Sequence, residues 1–321
     1  MKRIGLIGTG RHGSRYANHI INDIDTFALA GISRRSAVGK DQAEEWETCY
    51  YSDWHDLVAS PQVDAIVAVT VPSLNLNIAR QCAAYGKPLL VEKPLAGNSR
   101  EAETIVRLMR EANCPLTVGQ TLRYNPVIGS LQKQLPQMGK LHSLAVNQRI
   151  EPSTLSWHDD PEVAGAGVII HTAVHVFDAL RIITGLRVKQ VMAVSRCVHS
   201  SHLEDLVVVI MELENGVVGS LDVSKVGHAR SGRYEFICQE GHLYGDQIHS
   251  FTKTIRHNRV ATENTIAQVP TILPLLKDWA SFLDTGRNNP VTGEDGLYAV
   301  RVCDGCIQSA RQNCWVEVCV P

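Results

Sequence analysis

A glycine-rich turn near the N-terminus constrains this chain more than any other feature. Gly8-Thr9-Gly10-Arg11-His12-Gly13 follows a β-branched run at residues 3–7 and opens a helical pattern at 12–22. The spacing Gly-x-Gly-x-x-Gly is a weak signal alone, but strand, turn, helix and a second strand at 27–32 supply the context that gives it meaning. Gly8 permits the tight turn, Gly10 lets the backbone approach a pyrophosphate, and Gly13 lets the helix pack closely on the strand. Free N–H groups at the helix start then bind the anion. The turn therefore predicts dinucleotide binding, with Gly8, Thr9, Gly10, Arg11 and His12 at the cofactor.

The rest of the first third repeats the alternation. Strand-like runs at 65–70, 88–91 and 116–118 are separated by helical patterns at 37–46, 76–85 and 99–112. Near-continuous apolar strands between helices predict a parallel sheet covered on both faces, an α/β doubly wound Rossmann domain. Past residue 122 the texture changes. A helical stretch at 167–184 precedes strand-like runs at 206–213, 217–223, 233–239 and 243–248, with Asn215-Gly216 marking a hairpin. Helical patterns at 275–283 and 296–311 close the chain. The expected organisation is a dinucleotide domain over 1–121 and an α+β domain on a largely antiparallel open sheet over 122–321.

Composition excludes several functions. The 321 residues carry 31 Lys+Arg against 33 Asp+Glu, a net charge of −2, so no electrostatic footprint for nucleic acid is expected. No stretch reads as the ~20 apolar residues that cross a bilayer, and the apolar run after the basic start is short for a leader. Nine scattered cysteines, an odd number, predict reduced thiols and a cytoplasmic protein. Cys303-x-x-Cys306 lacks a second pair at matching spacing and reads as buried thiols.

The end of the second strand bears on cofactor choice. An NAD site usually has a carboxylate there for the ribose hydroxyls. This chain has Ser33-Arg34-Arg35, whose hydroxyl and guanidinium groups suit a 2′-phosphate. NADP is the expected cofactor, with NAD as the alternative, and Arg34 is the favoured contact.

Val91-Glu92-Lys93-Pro94 places a lysine at the C-terminal end of a parallel strand, the edge where open α/β sheets bind ligands. This segment resembles the signature of the Gfo/Idh/MocA oxidoreductases, named for glucose–fructose oxidoreductase and inositol dehydrogenase. The resemblance spans nearly the whole chain: the glycine turn, Thr70-Val71-Pro72, Val118-Gly119-Gln120, Arg123-Tyr124-Asn125-Pro126, Gly165-Ala166-Gly167 leading to His175, and Gly293-Glu294-Asp295-Gly296. It implies hydride transfer between a nicotinamide and a carbinol or carbonyl carbon of a sugar, amino sugar or cyclitol. It implies that Thr70, Val71, Pro72, Glu92, Lys93 and Gln120 line the dinucleotide. Lys93 matches the motif lysine that meets substrate and cofactor hydroxyls, and His175 the histidine that serves as general acid/base, a role suited to imidazole near neutral pH.

One departure stands out. The family usually has Asp four residues before that histidine; here the residue is His171. Four residues on a helix is about one turn, so His171 is expected to share a face with His175 and assist it, with Asp178 nearby. A second departure is Leu76, where many relatives have a histidine. The trio His171, His175 and Asp178 has metal-compatible spacing, but a substrate-facing pair is preferred and no metal is expected. Arg123, Tyr124 and Trp157 join Lys93, His171 and His175 as expected substrate contacts, Trp157 as a lid. The expected partners are a polyol or keto-sugar and further copies of the chain, as a homodimer or homotetramer through the C-terminal sheet. Two other readings stay open: a catalytically impaired NAD(P)-binding sensor or regulator, and a reductase of a non-sugar substrate.

Overall fold

The computed structural model describes residues 1–318, so Cys319 lies outside the described residues. The chain forms β1 (Lys2–Ile7), α1 (Arg11–Asn22), β2 (Phe27–Ser33), α2 (Val38–Glu45), β3 (Cys49–Tyr51) and α3 (Trp54–Ala59). There follow β4 (Ala65–Ala68), α4 (Pro72–Ala84), β5 (Leu89–Glu92), α5 (Ser99–Glu111) and β6 (Leu116–Gly119). Next come α6 (Pro126–Gln134), β7 (Leu141–Arg149), the short α7 (Pro161–Ala164), α8 (Val174–Thr184) and β8 (Val188–Arg196). A run of strands continues with β9 (Leu206–Leu213), β10 (Val218–Ser224), β11 (Ser231–Cys238), β12 (Gly241–Asp246), β13 (Phe251–Arg256) and β14 (Arg259–Thr265). The chain ends in α9 (Ile272–Thr285), α10 (Gly293–Gln312) and β15 (Val316–Glu317).

Two compact units result, one of residues 1–121 with 270–297, the other of 122–269 with 298–321. The sequence expectation placed 270–297 in the second domain; the structure clusters them with the first. The physical reason is α9, which packs on α1 and brings the fully buried Trp279 edge-on to Phe27 of β2, with ring centroids 5.6 Å apart. A buried indole removes a large apolar area from water, and edge-to-face packing adds to it. Further along, Val118 N–H donates to the Val291 carbonyl at 3.0 Å, and Thr117 Oγ1 donates to Asn289 Oδ1 at 2.8 Å.

The first unit's sheet is parallel throughout, in the order β3-β2-β1-β4-β5-β6. β4, β5 and β6 are buried along their whole length, as a sheet covered on both faces requires. The order reverses between β1 and β4, and the glycine turn leaves the end of β1 at that switch point, where α/β sheets bind ligands.

The second unit is built on nine strands ordered β14-β13-β12-β11-β7-β10-β9-β8-β15. Neighbours are antiparallel except β7 and β10. The Asn-Gly hairpin forms between β9 and β10: Gly216 takes φ +84°, and Asn215 Oδ1 accepts the Val217 N–H. β9 alternates cleanly, with Val207, Val209, Met211 and Leu213 buried while Val208 and Ile210 are exposed. Helical elements pack against the buried side, and the Ala193 N–H of β8 donates to Ser309 Oγ of α10 at 2.9 Å.

Two expectations need correction. The segment Pro161–Thr184 is long and apolar enough to cross a membrane by length and composition, contrary to the reading that no stretch is. Its most apolar 18-residue window is 83% buried inside the structure, as a core helix of a folded unit is. The helix expected at 167–184 also begins differently, as a π turn over Ile169–Ala173 followed by α8.

Candidate active site

The glycine turn is shaped by close backbone approach. Gly8 sits at φ +88°, and a Cβ there would lie 2.2 Å from the Val69 carbonyl oxygen. A Cβ on Gly13 would lie 1.8 Å from the Gly8 oxygen, so helix and turn touch as backbone on backbone. Gly10 differs, since nothing lies within 4 Å of its Cβ direction and the residue is exposed. No side chain caps α1, so its first-turn N–H groups have no side-chain acceptor, as an anion site at a helix start requires. Arg11 and the His12 side chain are exposed, whereas Thr9 is fully buried.

Arg34 is fixed against this turn. Its Nη1 donates to the Thr9 carbonyl at 2.8 Å and to Gln42 Oε1 at 3.0 Å, while Nε donates to Ser36 Oγ at 2.7 Å. Gln42, from α2, returns a bond from Nε2 to the Thr9 carbonyl and accepts one from Thr9 Oγ1 at 2.6 Å. Ser33 is buried, its carbonyl accepting the Gly8 N–H at 2.9 Å, and Arg35 is exposed.

Past β4, Thr70 and Val71 are half-buried and Pro72 takes the first turn of α4. Asn75, almost fully buried, accepts from Thr70 Oγ1 at 3.0 Å and donates to the carbonyls of Pro94 and Leu95 at 3.1 and 3.2 Å. It thereby ties α4 to the segment that carries Lys93. Burial pulls the Lys93 ammonium below its ordinary range, opposed by the charge of Glu92. The Glu92 carboxylate is turned inward: it accepts from Tyr16 Oη, from His12 Nε2 at 3.0 Å and from the Lys93 N–H at 3.0 Å. Gln120, at the end of β6, is fully buried, and among the described residues neither end of its carboxamide has a hydrogen-bond partner. A buried amide left so is costly unless a ligand completes it. The open approach at Gly10, the uncapped helix and this orphaned amide fit a dinucleotide.

The second unit holds the histidines. His175 is the one residue between 168 and 180 that is not buried. His171 lies in the π turn, where its Nε2–H donates to the Ala164 carbonyl at 3.1 Å. Its ring stacks on His158 at 5.2 Å and meets Trp157 edge-on at 5.4 Å, so the 156–164 segment covers it. The two histidines therefore have different surroundings despite their spacing. Glu204 anchors the same turn: its Oε1 accepts the Ile169 N–H at 3.1 Å, and its carbonyl accepts the Val168 N–H at 2.7 Å. A Cβ on Gly167 would lie 1.9 Å from that carbonyl, which explains the glycine.

Arg123 and Asp178 form a bidentate pair, Nε to Oδ2 at 2.7 Å and Nη2 to Oδ1 at 2.6 Å, with side chains 12% and 1% exposed. The Asp178 carboxylate, grouped from sequence with the histidines, is held by this guanidinium. Tyr124 is half-buried at the end of the 3₁₀ turn Thr121–Tyr124, which also carries Arg123. Among the described residues no group of three or more His, Cys, Asp or Glu side chains could hold a metal. Cys303 and Cys306 are buried, and burial pushes both thiols up, away from thiolate.

Residues 2–120 match an oxidoreductase family with an NAD-binding Rossmann fold, and residues 133–318 match the same family's C-terminal alpha/beta domain. The chain belongs to the Gfo/Idh/MocA oxidoreductases. Among its relatives in this family is the myo-inositol 2-dehydrogenase of Thermotoga maritima, 25% identical, with 93% of each chain covered. The scyllo-inositol 2-dehydrogenase (NAD(+)) of Bacillus subtilis is 22% identical over 80% of this chain and 75% of its own. A levoglucosan dehydrogenase in complex with NADH shares the fold with a TM-score of 0.90 at 19% identity, both chains covered in full. Within this Gfo/Idh/MocA chain, sequence reasoning missed Tyr16, Gln42, Asn75 and Glu204. Each acts by holding another residue, and no local motif signals that.

Proposed function

We propose that this chain is an NAD(P)-dependent dehydrogenase that oxidises a carbinol of a cyclitol or sugar, or reduces the matching ketone, with NADP preferred. The observation that carries the reading is the glycine turn at the sheet's switch point, open at Gly10 and followed by an uncapped helix. When bound, the nicotinamide supplies the carbon that takes or gives the hydride. The rest of the chemistry falls to side chains. Oxidising an alcohol also releases a proton, which His175 takes as general base and returns in the reverse direction. Lys93, as an ammonium, stabilises negative charge that develops on the substrate oxygen. The inositol dehydrogenase relatives support the substrate class.

The NADP preference is supported by Ser33 at the end of β2 and Arg34 just past it, positions held by a hydroxyl and a guanidinium instead of a carboxylate. A guanidinium already fixed by Thr9, Gln42 and Ser36 loses little freedom on meeting a 2′-phosphate. Exposed Val194, Val208, Ile210 and Val218 on the outer face of the nine-stranded sheet support pairing with a second copy. All eight described cysteines are unpaired, which supports a reducing, cytoplasmic setting.

The test is turnover with NAD and NADP across myo-inositol, scyllo-inositol and levoglucosan. Lys93→Ala and His175→Ala are each expected to lower kcat at least about 1,000-fold, and in His175→Ala dinucleotide affinity, followed by quenching of protein fluorescence, is expected to stay within about twofold. Near-normal kcat in either variant overturns the assignment.

A further inference from the structure

The Glu92 carboxylate sits inside the first unit and is shared by three donors from two elements. Tyr16 and His12 come from α1, four residues apart on one face, and both reach Oε1. Their rings meet edge-on at 5.6 Å. The third donor is the backbone N–H of Lys93, which takes Oε2. Tyr16 is fully buried and Glu92 is 5% exposed, so the bond between them is shielded from water. Room for the carboxylate comes from Gly119, where a Cβ would lie 3.0 Å from Glu92 Cδ. The opposite end of the assembly is His12, whose main chain belongs to the anion-facing first turn of α1 and whose side chain is 45% exposed.

We propose that Tyr16 is a positioning residue that, together with His12, acts through the Glu92 carboxylate to lock Lys93 onto the first turn of the dinucleotide helix. The inference rests on the reading of Lys93 as the substrate-facing ammonium. A phenol alone fills the hydrophobic position as well as phenylalanine would, so packing does not account for the hydroxyl. Its donation to a buried carboxylate does. With Oε1 held twice and Oε2 held by the Lys93 N–H, the carboxylate has one orientation, and the lysine's main chain follows it. The negative charge so fixed also stands beside the Lys93 ammonium and favours it against burial.

The experiment needs no substrate. The full-length protein is labelled with limiting acetic anhydride at pH 8, and the acetylation rate of each lysine is read by peptide mass spectrometry. Tyr16→Phe and Glu92→Gln are compared with wild type, and Lys87 and Lys140 serve as internal controls. Lys93 is expected to acetylate at least threefold faster in Tyr16→Phe and faster again in Glu92→Gln, with both controls unchanged. The double variant is expected to match Glu92→Gln alone, because Tyr16 acts only through the carboxylate. An unchanged Lys93 rate in Tyr16→Phe overturns the proposal. So do rates that multiply in the double variant, or a rise shared by the control lysines, which marks a general loosening. Lys93→Ala turnover separates the two readings. If that variant keeps its activity the assignment of Lys93 fails, whereas an unchanged labelling rate in Tyr16→Phe sinks the positioning role alone.

Discussion

The glycine turn and the histidine helix are ordered by opposite means. At the turn the binding surface is backbone, and the side chains that matter are those that are missing. At the helix the groups are side chains, each oriented by a partner on another segment: His171 by Ala164 seven residues back, the π turn by Glu204 and Asp178 by Arg123. A backbone site tolerates no added atom at its close contacts. A side-chain site tolerates change in shape but depends on every buried polar group keeping its partner.

The sharpest way to break this comparison lies within the turn. Gly13→Ala drives a Cβ into the Gly8 oxygen and is expected to destabilise the fold by more than about 4 kcal/mol, with loss of dinucleotide binding. Gly10→Ala meets no atom within 4 Å and is expected to leave the melting temperature within about 2 °C of wild type while weakening binding. Thermal melting beside fluorescence titration checks both. Equal melting losses would mean that the turn is not held by backbone contact as described.

The next effect belongs to the second unit. Arg123→Ala takes the bidentate guanidinium away from the buried Asp178 carboxylate, at an expected cost of about 3–5 kcal/mol in urea unfolding. Replacing both partners, as Arg123→Met with Asp178→Leu, is expected to recover most of that loss. If the single variant is as stable as wild type, the pair does not position α8.

What was legible in advance follows the same division. Gly8, Gly10 and Gly13 announce their role because a backbone site demands a particular residue at fixed spacing, and the parallel sheet announces itself through continuous apolar runs. The hairpin at Asn215-Gly216 was equally plain. β7 was not, although it sits mid-sheet: Leu-His-Ser-Leu-Ala-Val-Asn-Gln-Arg mixes polar and apolar residues because one of its faces is not buried. The π turn was also hidden, since helical spacing in sequence does not reveal an extra residue in the turn. The tie between Arg123 and Asp178 was hidden as well, because it spans 55 residues.

A smaller effect tests the cofactor choice. Arg34→Ala is expected to raise the Kd for NADPH about tenfold, the worth of a charge-assisted contact, and to change that for NADH less than twofold. Equal effects on both would leave Arg34 as a brace for the turn alone.

The smallest effect is a matter of pH. Burial holds the Glu204 carboxyl above its ordinary range, so the folded protein binds that proton more tightly than the unfolded chain does. Its stabilising contribution is complete below the unfolded carboxyl value of about 4.3 and is lost as pH rises through the folded one. Glu204→Gln keeps an oxygen for the Ile169 N–H and cannot ionise. It is expected to melt higher than wild type at pH 8 and to lose that advantage at pH 4. An advantage independent of pH would point to packing instead.

The packing of α9 beside α1 carries a consequence for how the protein is made. During synthesis all six strands of the parallel sheet have emerged once residue 119 is out, but Phe27 keeps an uncovered edge until Trp279 follows. The whole nine-stranded sheet short of β15 is translated in that interval. The unit that leaves the ribosome first is thus finished nearly last, and a nascent chain stalled before residue 270 would offer its unfinished apolar flank to whatever binds such surfaces.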